Sequence, residues 1–361
     1  MPDTGRMIII TGANGFIGSA MVWQLNQAGF TNIIAVDSIN LKTRNLLQKR
    51  QYSAFYEAQE LWSFLATEEA QKKVTWIIHM GACSSTTETN WDFLYSNNFQ
   101  YSQRLFEWCS QYQKNLIYAS SAATYGAGEN GFNDTFDSEK LKPLNLYGDS
   151  KVIMDRWALK QKATPPSWYG LKFFNVFGPN EYEKGSMASV AFKAYHQILQ
   201  SSELGLFKSY NTSYADGQQL RDFVYVKDIT RWMMELMDKK PQNGLYNMGF
   251  GKARSWLDLA QALFKAMNKP THINWLEMPE NIKNQAKINT KINRQVDLAK
   301  TFFDKYDLAI QRASYLKNKA LENSDKLLAN FEFDLNNTKV KVIWATDAND
   351  ALQEIATYYQ V

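Results

Sequence analysis

The chain has 361 residues, with 40 Lys plus Arg against 36 Asp plus Glu and a net charge of +4. The basic residues are scattered rather than blocked, which argues against a nucleic-acid partner, and no apolar run reaches about 18 residues, which argues against a membrane span. Its two cysteines and three histidines stand at no ligand or redox spacing, so a metal site is not expected; the length suits two domains, or one large α/β domain with a cap.

Residues 1–6 read as a leader rather than a signal peptide, with Met7 a candidate start, and the expectation is a cytoplasmic protein. Residues 7–11 form a buried strand, followed by a glycine turn at 12–18 and a helix to about residue 28. A second strand spans 32–36 and ends at Asp37; a third spans 75–79, closing on His79, which is expected to be a buried strand-end histidine. The loop 81–88 and a helix over 91–112 precede a fourth strand at 114–119. A helix from Tyr147 to about residue 162 and a fifth strand at 169–174 complete the alternation. Such alternation predicts a Rossmann-type doubly wound parallel sheet with ligands at the carboxyl ends of its strands. Beyond Val176 the expectation is a loop at 178–185, a helix over 187–199, and a strand at 221–226, a helix to about 238 and a strand at 245–248 that return to the main sheet. The division expected is a dinucleotide-binding domain of residues 1–175 with 222–250 and a smaller α/β substrate-binding cap of 176–221 with 251–361. Within the cap, 286–348 is atypical, rich in Lys, Asn, Asp and Leu, and reads as surface helices or partial disorder.

Three local patterns carry chemistry. In Thr11-Gly12-Ala13-Asn14-Gly15-Phe16-Ile17-Gly18 the glycines sit between a strand and a helix, where backbone can approach a pyrophosphate at the helix N-terminus. Asp37, at the next strand end, suits a ribose hydroxyl and favours NAD; Lys42 and Arg44 just beyond suit a 2′-phosphate and favour NADP, or else a solvated basic face, and the residues alone leave this open. Tyr147 and Lys151 lie one helical turn apart, so both project from one helix face, and the lysine cation is expected to lower the phenol pKa and make a base for a sugar hydroxyl. Ser121, at the fourth strand's end, is placed to hold that hydroxyl. Lys184, in a polar loop after the fifth strand, is either a solvent-exposed lysine or a second acid/base on the other side of the substrate. Cys83 is expected to be a packed loop residue, since no histidine base is evident beside it.

With these residues in hand, the chain resembles the extended short-chain dehydrogenase/reductases, and within them the ADP-L-glycero-D-manno-heptose 6-epimerase family. The match runs from residue 7 to about residue 285 and rests on TGANGFIGS, GACSSTTE, NNFQYS, YASSAATYG, PLNLYGDSK, FFNVFGP, KGSMASVAF and RDFVYVKD. The resemblance implies retained NADP, with NAD the alternative, and an ADP-heptose substrate epimerised at C6″ through a transient 6″-ketone, supplying the lipopolysaccharide inner core. By position it makes Tyr147 the catalytic tyrosine, Lys151 its lysine, Ser121 the hydroxyl-binding serine and Lys184 the second acid/base. Gly12, Gly15, Phe16, Ile17, Gly18, Asp37, Ser38, Lys42, Met80, Gly81, Ala82, Cys83, Ser84, Asn97 and Val176 fall at cofactor positions, as do Lys151 and Lys184. Asn175, Ser186, Lys193, Phe207, Lys208, Ser209, Tyr210 and Arg221 fall at substrate positions, and an arginine fork at Arg221 suits a diphosphate. A homo-oligomer, by resemblance a pentamer, is implied as well. The sequence departs from the pattern in three places: Lys193 stands for a histidine, Met80 for an acidic residue, and Ala286 opens a stretch where a tyrosine-bearing segment is expected. Alternatives on the same scaffold are another nucleotide-sugar epimerase or reductase, or a non-catalytic NADP-binding protein. A 4,6-dehydratase is disfavoured because Ser121 is followed by Ala122-Ala123 rather than an acidic pair.

Overall fold

In the computed structural model, residues 6–182, 184–209 and 214–279 are described. Six strands come first in chain order: β1 (Met7–Thr11), β2 (Ile33–Asp37), β3 (Ala54–Glu57), β4 (Val74–His79), β5 (Asn115–Ser121) and β6 (Trp168–Phe173). With the strand Gly244–Met248 they make a seven-stranded sheet in the order Gly244–Met248, β6, β5, β4, β1, β2, β3, parallel throughout. The chain winds outward from β1 through β2 to β3, then crosses to β4 and winds the other way. Between β1 and β4 the order reverses, and a crevice opens there at the strands' carboxyl ends.

Helices on both faces explain why the central strands read as unbroken apolar runs. Side chains alternate across a strand: Ile8 and Ile10 pack with Met21 and Leu25 of the helix Phe16–Gln27 and with Ile229 and Met233 of the helix Val226–Lys239. Ile9 and Ile77 face the other way, into a core with Phe106 and Met154. Burying an aliphatic side chain of this size is worth about 1.5–3 kcal/mol.

The short strand β3 was not expected. Its four residues are all only partly buried, as suits a sheet edge whose apolar pattern is too short to read. A second departure concerns residues 221–226, expected in the main sheet. There the edge beside β6 is taken by Gly244–Met248. Phe223–Tyr225 pairs instead with Asn175–Phe177, and Leu220–Arg221 with Arg254–Ser255. The helix Val226–Lys239 does return to the sheet, against Phe16–Gln27. Another small core joins the helices Val190–Ser201 and Trp256–Ala266 through Ala194, Ile198, Ala260 and Phe264. The atypical segment 286–348, with Ala286, lies outside the described residues.

Candidate active site

A cleft of about 1540 Å³ occupies the crevice. Gly12, Gly15, Phe16, Ile17 and Gly18 line it from the end of β1, Asp37 and Ser38 from β2, and Met80, Gly81, Ala82, Cys83 and Ser84 from β4. Asn97, Ser121, Tyr147, Lys151, Asn175, Val176, Lys184 and Arg221 also stand on its wall.

The glycine turn is shaped for close approach. Gly12 has φ +65°, and a Cβ there would come within 2.6 Å of the Gly81 backbone nitrogen; a Cβ on Gly18 would overlap the Gly12 carbonyl. The helix begins at Phe16 with no side chain capping its N-terminus, so this backbone fits a pyrophosphate. Asn14, which the sequence did not single out, braces this end. Its amide donates to the carbonyls of Ile39 (3.2 Å) and Arg44 (2.5 Å), and its Oδ1 accepts from Leu46 N–H at 2.9 Å. Asp37 is buried, and its carboxylate accepts the N–H groups of Asn14 (2.9 Å) and Ile39 (3.0 Å). The bracing brings Arg44 onto the cleft wall, whereas Lys42 is exposed and lies off it.

At β4 the strand-end histidine is indeed buried. His79 Nδ1 is 2.6 Å from Thr11 Oγ1 and Nε2 is 2.9 Å from Ser102 Oγ. Burial, aided by the Lys151 charge, drives its pKa down to about 3, so it stays neutral. Next to it, the stretch Tyr95–Gln100 is π-helical, a distortion frequent at functional sites. It buries Asn98, a residue adjacent to the expected Asn97. Asn98 binds both backbone groups of Cys83 (2.8 and 3.0 Å) and donates to Ser150 Oγ at 3.0 Å. One amide thereby clamps the loop after β4 to the helix carrying Tyr147.

That helix, Leu146–Leu159, starts at an Asn145 cap whose side chain accepts from Gly148 N–H at 2.8 Å. The Ser121 side chain acts on the Tyr147 phenol, favouring its ionised form. Lys151 is buried and donates to the Ala119 carbonyl at 2.9 Å, on the same strand end as Ser121. Burial lowers the Lys151 pKa to about 8, against the opposing pull of Asp155. The Tyr147 phenol is held above its ordinary value by burial, partly offset by the Ser121 hydrogen bond. This corrects the expected direction: with its amine turned to a strand carbonyl, Lys151 does not outweigh desolvation of the phenol. Beneath the pair, Asp155 is fully buried and bonded to Tyr118 Oη (3.0 Å), Ser120 Oγ (2.7 Å) and Lys172 Nζ (2.6 Å). Lys172 is 1% exposed and also reaches Thr124 Oγ1 at 2.8 Å.

Lys184 lies across the glycine turn, its ammonium 5.0 Å from the Phe16 ring centre. Burial lowers its pKa, with Glu181 raising it and Arg44 lowering it further. It is half-buried on the cleft wall, not a fully solvated loop lysine. Among the substrate candidates, Arg221 stacks 5.6 Å from the Trp256 ring, and Asn175 donates its amide to the Asp222 carbonyl at 3.2 Å. Lys193 and Phe207 are exposed, Lys208 pairs with Glu277 at 2.7 Å, and Ser209 N–H donates to Asp216 at 2.7 Å; none of the four lies on the cleft wall. The Ser186 side chain and Tyr210 lie outside the described residues. Aromatic Phe93, Phe132 and Tyr214, absent from the expected set, line the cleft as well. Among the described residues no cluster of His, Cys, Asp or Glu could hold a metal ion, and no helix is long and apolar enough to cross a membrane.

A family model for the NAD dependent epimerase/dehydratase family matches residues 8–249. A protein of Fusobacterium nucleatum named ADP-L-glycero-D-manno-heptose-6-epimerase is 45% identical over 307 residues, covering 82% of this chain and 92% of its own length. One of the same name from Alkalilimnicola ehrlichii is 37% identical over 305 residues, covering 84% and 92%. The crystal structure of the Helicobacter pylori ADP-L-glycero-D-manno-heptose-6-epimerase superposes with TM-score 0.64 at 26% identity, over 76% of this chain and 85% of that one. The Thermus thermophilus UDP-glucose 4-epimerase complex with NAD shares the fold, with TM-score 0.59 at 21% identity, covering 74% and 85%. With a glycine turn, a Ser–Tyr–Lys set and these relatives in agreement, the chain belongs to the NAD-dependent epimerase/dehydratase family and, within it, to the ADP-L-glycero-D-manno-heptose 6-epimerases.

Proposed function

We propose that the protein converts ADP-D-glycero-β-D-manno-heptose to its L-glycero epimer at C6″, with bound NADP and through a transient 6″-ketone of the sugar, for supply of the lipopolysaccharide inner core. The observation that carries the proposal is that two titratable side chains from separate elements line one cleft. Tyr147 comes from a helix, backed by Ser121 and Lys151, and Lys184 comes from a separate loop beside the glycine turn. The glycine turn and Asp37 would hold a nicotinamide dinucleotide, which would supply the removal and return of hydride at C6″.

Every other task falls to side chains. Ser121 holds the C6″ oxygen, and Tyr147 takes or returns its proton in one orientation of the sugar. After the ketone turns over, Lys184 handles the proton in the other orientation; burial lowers the pKa of its amine, which eases release of a proton from it. Lys151 carries charge within the Tyr147 site, and with a pKa of about 8 it is protonated below that pH. Arg221, stacked on Trp256, is our choice for the diphosphate.

For the cofactor, Arg44 supports NADP over NAD, since of the two cations first weighed for a 2′-phosphate it is the one on the cleft wall. Arg44→Ala should weaken NADP binding about tenfold or more relative to NAD, as titrated by fluorescence. The same proposal makes residues 1–175 with 222–250 the cofactor half and 176–221 with 251–361 the substrate half, and takes the protein as a cytoplasmic homo-oligomer, pentameric by resemblance, testable by sedimentation. The activity itself is tested by NMR of the D-glycero substrate with purified protein; no epimer at high enzyme load would falsify it.

A further inference from the structure

The described residues of 178–189 carry Lys184 yet contain little regular structure, so something other than a helix or strand must fix the amine. The side chain best placed to do so is Glu181. It is 1% exposed, and a buried carboxylate is costly unless it is fully used. One oxygen accepts from Gly178 N–H at 2.9 Å and from the Ser189 hydroxyl at 2.8 Å; the other accepts from Ser189 N–H at 2.6 Å. Gly178 and Ser189 are the two ends of the loop, so a single carboxylate closes it. Ser189 in turn caps the helix Val190–Ser201, accepting from Phe192 N–H at 3.1 Å. Inside the ring, Lys184 N–H donates to the Glu181 carbonyl at 3.0 Å.

The closed loop is also registered on the helix that follows the glycine turn. Asn180, held at φ 79°, donates its amide to Ser19 Oγ at 2.9 Å, and the Lys184 ammonium sits over Phe16. Both Phe16 and Ser19 belong to that helix. Among the described residues, the charged groups that act on Lys184 are Glu181 from its own loop and Arg44 from the segment after β2, with opposite signs.

We propose that Glu181 is the positioning residue of the second acid/base, its carboxylate closing residues 178–189 into a clasp that holds the Lys184 amine in the cleft. The inference rests on the two-base proposal above and adds that Lys184 depends on a neighbour for both place and proton affinity. Two variants separate these effects. Glu181→Gln removes the charge and the acceptor for Ser189 N–H, and Ser189→Ala removes one hydrogen bond to the carboxylate, together with the cap on Phe192 N–H, while leaving the charge.

The test is the pH dependence of kcat on the full-length protein with its cofactor bound, with KM and bound cofactor measured in parallel. Lys184→Met identifies the limb of the profile that belongs to Lys184, as the one it abolishes. Glu181→Gln is expected to lower kcat about tenfold or more, with KM and cofactor content little changed. It should also move that limb to lower pH, because the charge that raises the Lys184 pKa is gone. Ser189→Ala should lower kcat by a smaller factor, about threefold, and leave the limb in place, so the proposal stays testable if Glu181→Gln fails to fold. Unchanged kcat and an unmoved limb in Glu181→Gln, with Lys184→Met strongly impaired, would overturn the clasp alone. A fall in kcat that merely tracks lost folded protein would overturn it too. Full turnover in Lys184→Met would overturn the two-base proposal beneath it.

Discussion

Tyr147, Ser121 and Lys151 stand on a strand end and a capped helix, whereas Lys184 stands on an irregular loop closed by one carboxylate. Beneath the first group lies the buried Asp155–Lys172 pair. Under the second lies the glycine-turn helix, touched at Phe16 and Ser19. A group on regular elements is placed by the whole domain, so single changes nearby cost stability before they cost geometry. A group on a closed loop is placed by a few bonds, so single changes there cost geometry and leave the domain standing.

Four experiments sharpen or break this contrast. The largest effect is expected from Tyr147→Phe, which should reduce kcat by about a thousandfold or more with cofactor content and Tm retained. Asp155→Asn comes next, on stability. It leaves the buried Lys172 ammonium without its carboxylate, and urea denaturation should show a loss of about 3–5 kcal/mol. Equal stability would mean that the Tyr147 side is not anchored through its core. Lys184→Met should lower kcat about a hundredfold, or roughly 2.7 kcal/mol of barrier, with the urea midpoint unchanged.

The effect that is smallest near neutral pH, and grows on acidification, belongs to His79 on the cleft wall. Its folded pKa is about 3 and its ordinary value 6.5. Below pH 6.5 the unfolded chain binds a proton that the folded one refuses, so stability falls as pH drops from 6.5 towards 3. The slope is at most about 1.4 kcal/mol per pH unit. His79→Gln should flatten that part of the stability–pH curve; a slope equal to the parent's would assign it to other groups.

The same contrast governs how much could be read from the sequence. The strand at 7–11, the glycine turn and the helix carrying Tyr147 and Lys151 are local patterns, and each element formed within a few residues of its expected place. β3 escaped notice because four half-buried residues show no period. The supports escaped for another reason. Asn14 acts on residues 39–46, Asn98 on Cys83 and Ser150, and Asp155 on Lys172. Each is one polar residue whose partner is remote in sequence, and no local pattern records such a pairing. The Tyr147 phenol illustrates the limit in its chemistry. Its spacing to Lys151 was visible, but the turn of the amine towards Ala119 was not, and that turn left burial to set the direction of the phenol pKa. At Lys42 and Arg44 the chain offered two cations, and only the bracing by Asn14 distinguishes the one on the cleft wall.

The most direct test follows a label at the reacting carbon. ADP-D-glycero-β-D-manno-heptose deuterated at C6″ is incubated with the purified protein and followed by NMR. Removal and return of the same hydride predicts the L-glycero epimer with deuterium retained at C6″. Epimer carrying a solvent proton at C6″, or no epimer at all, would contradict the account.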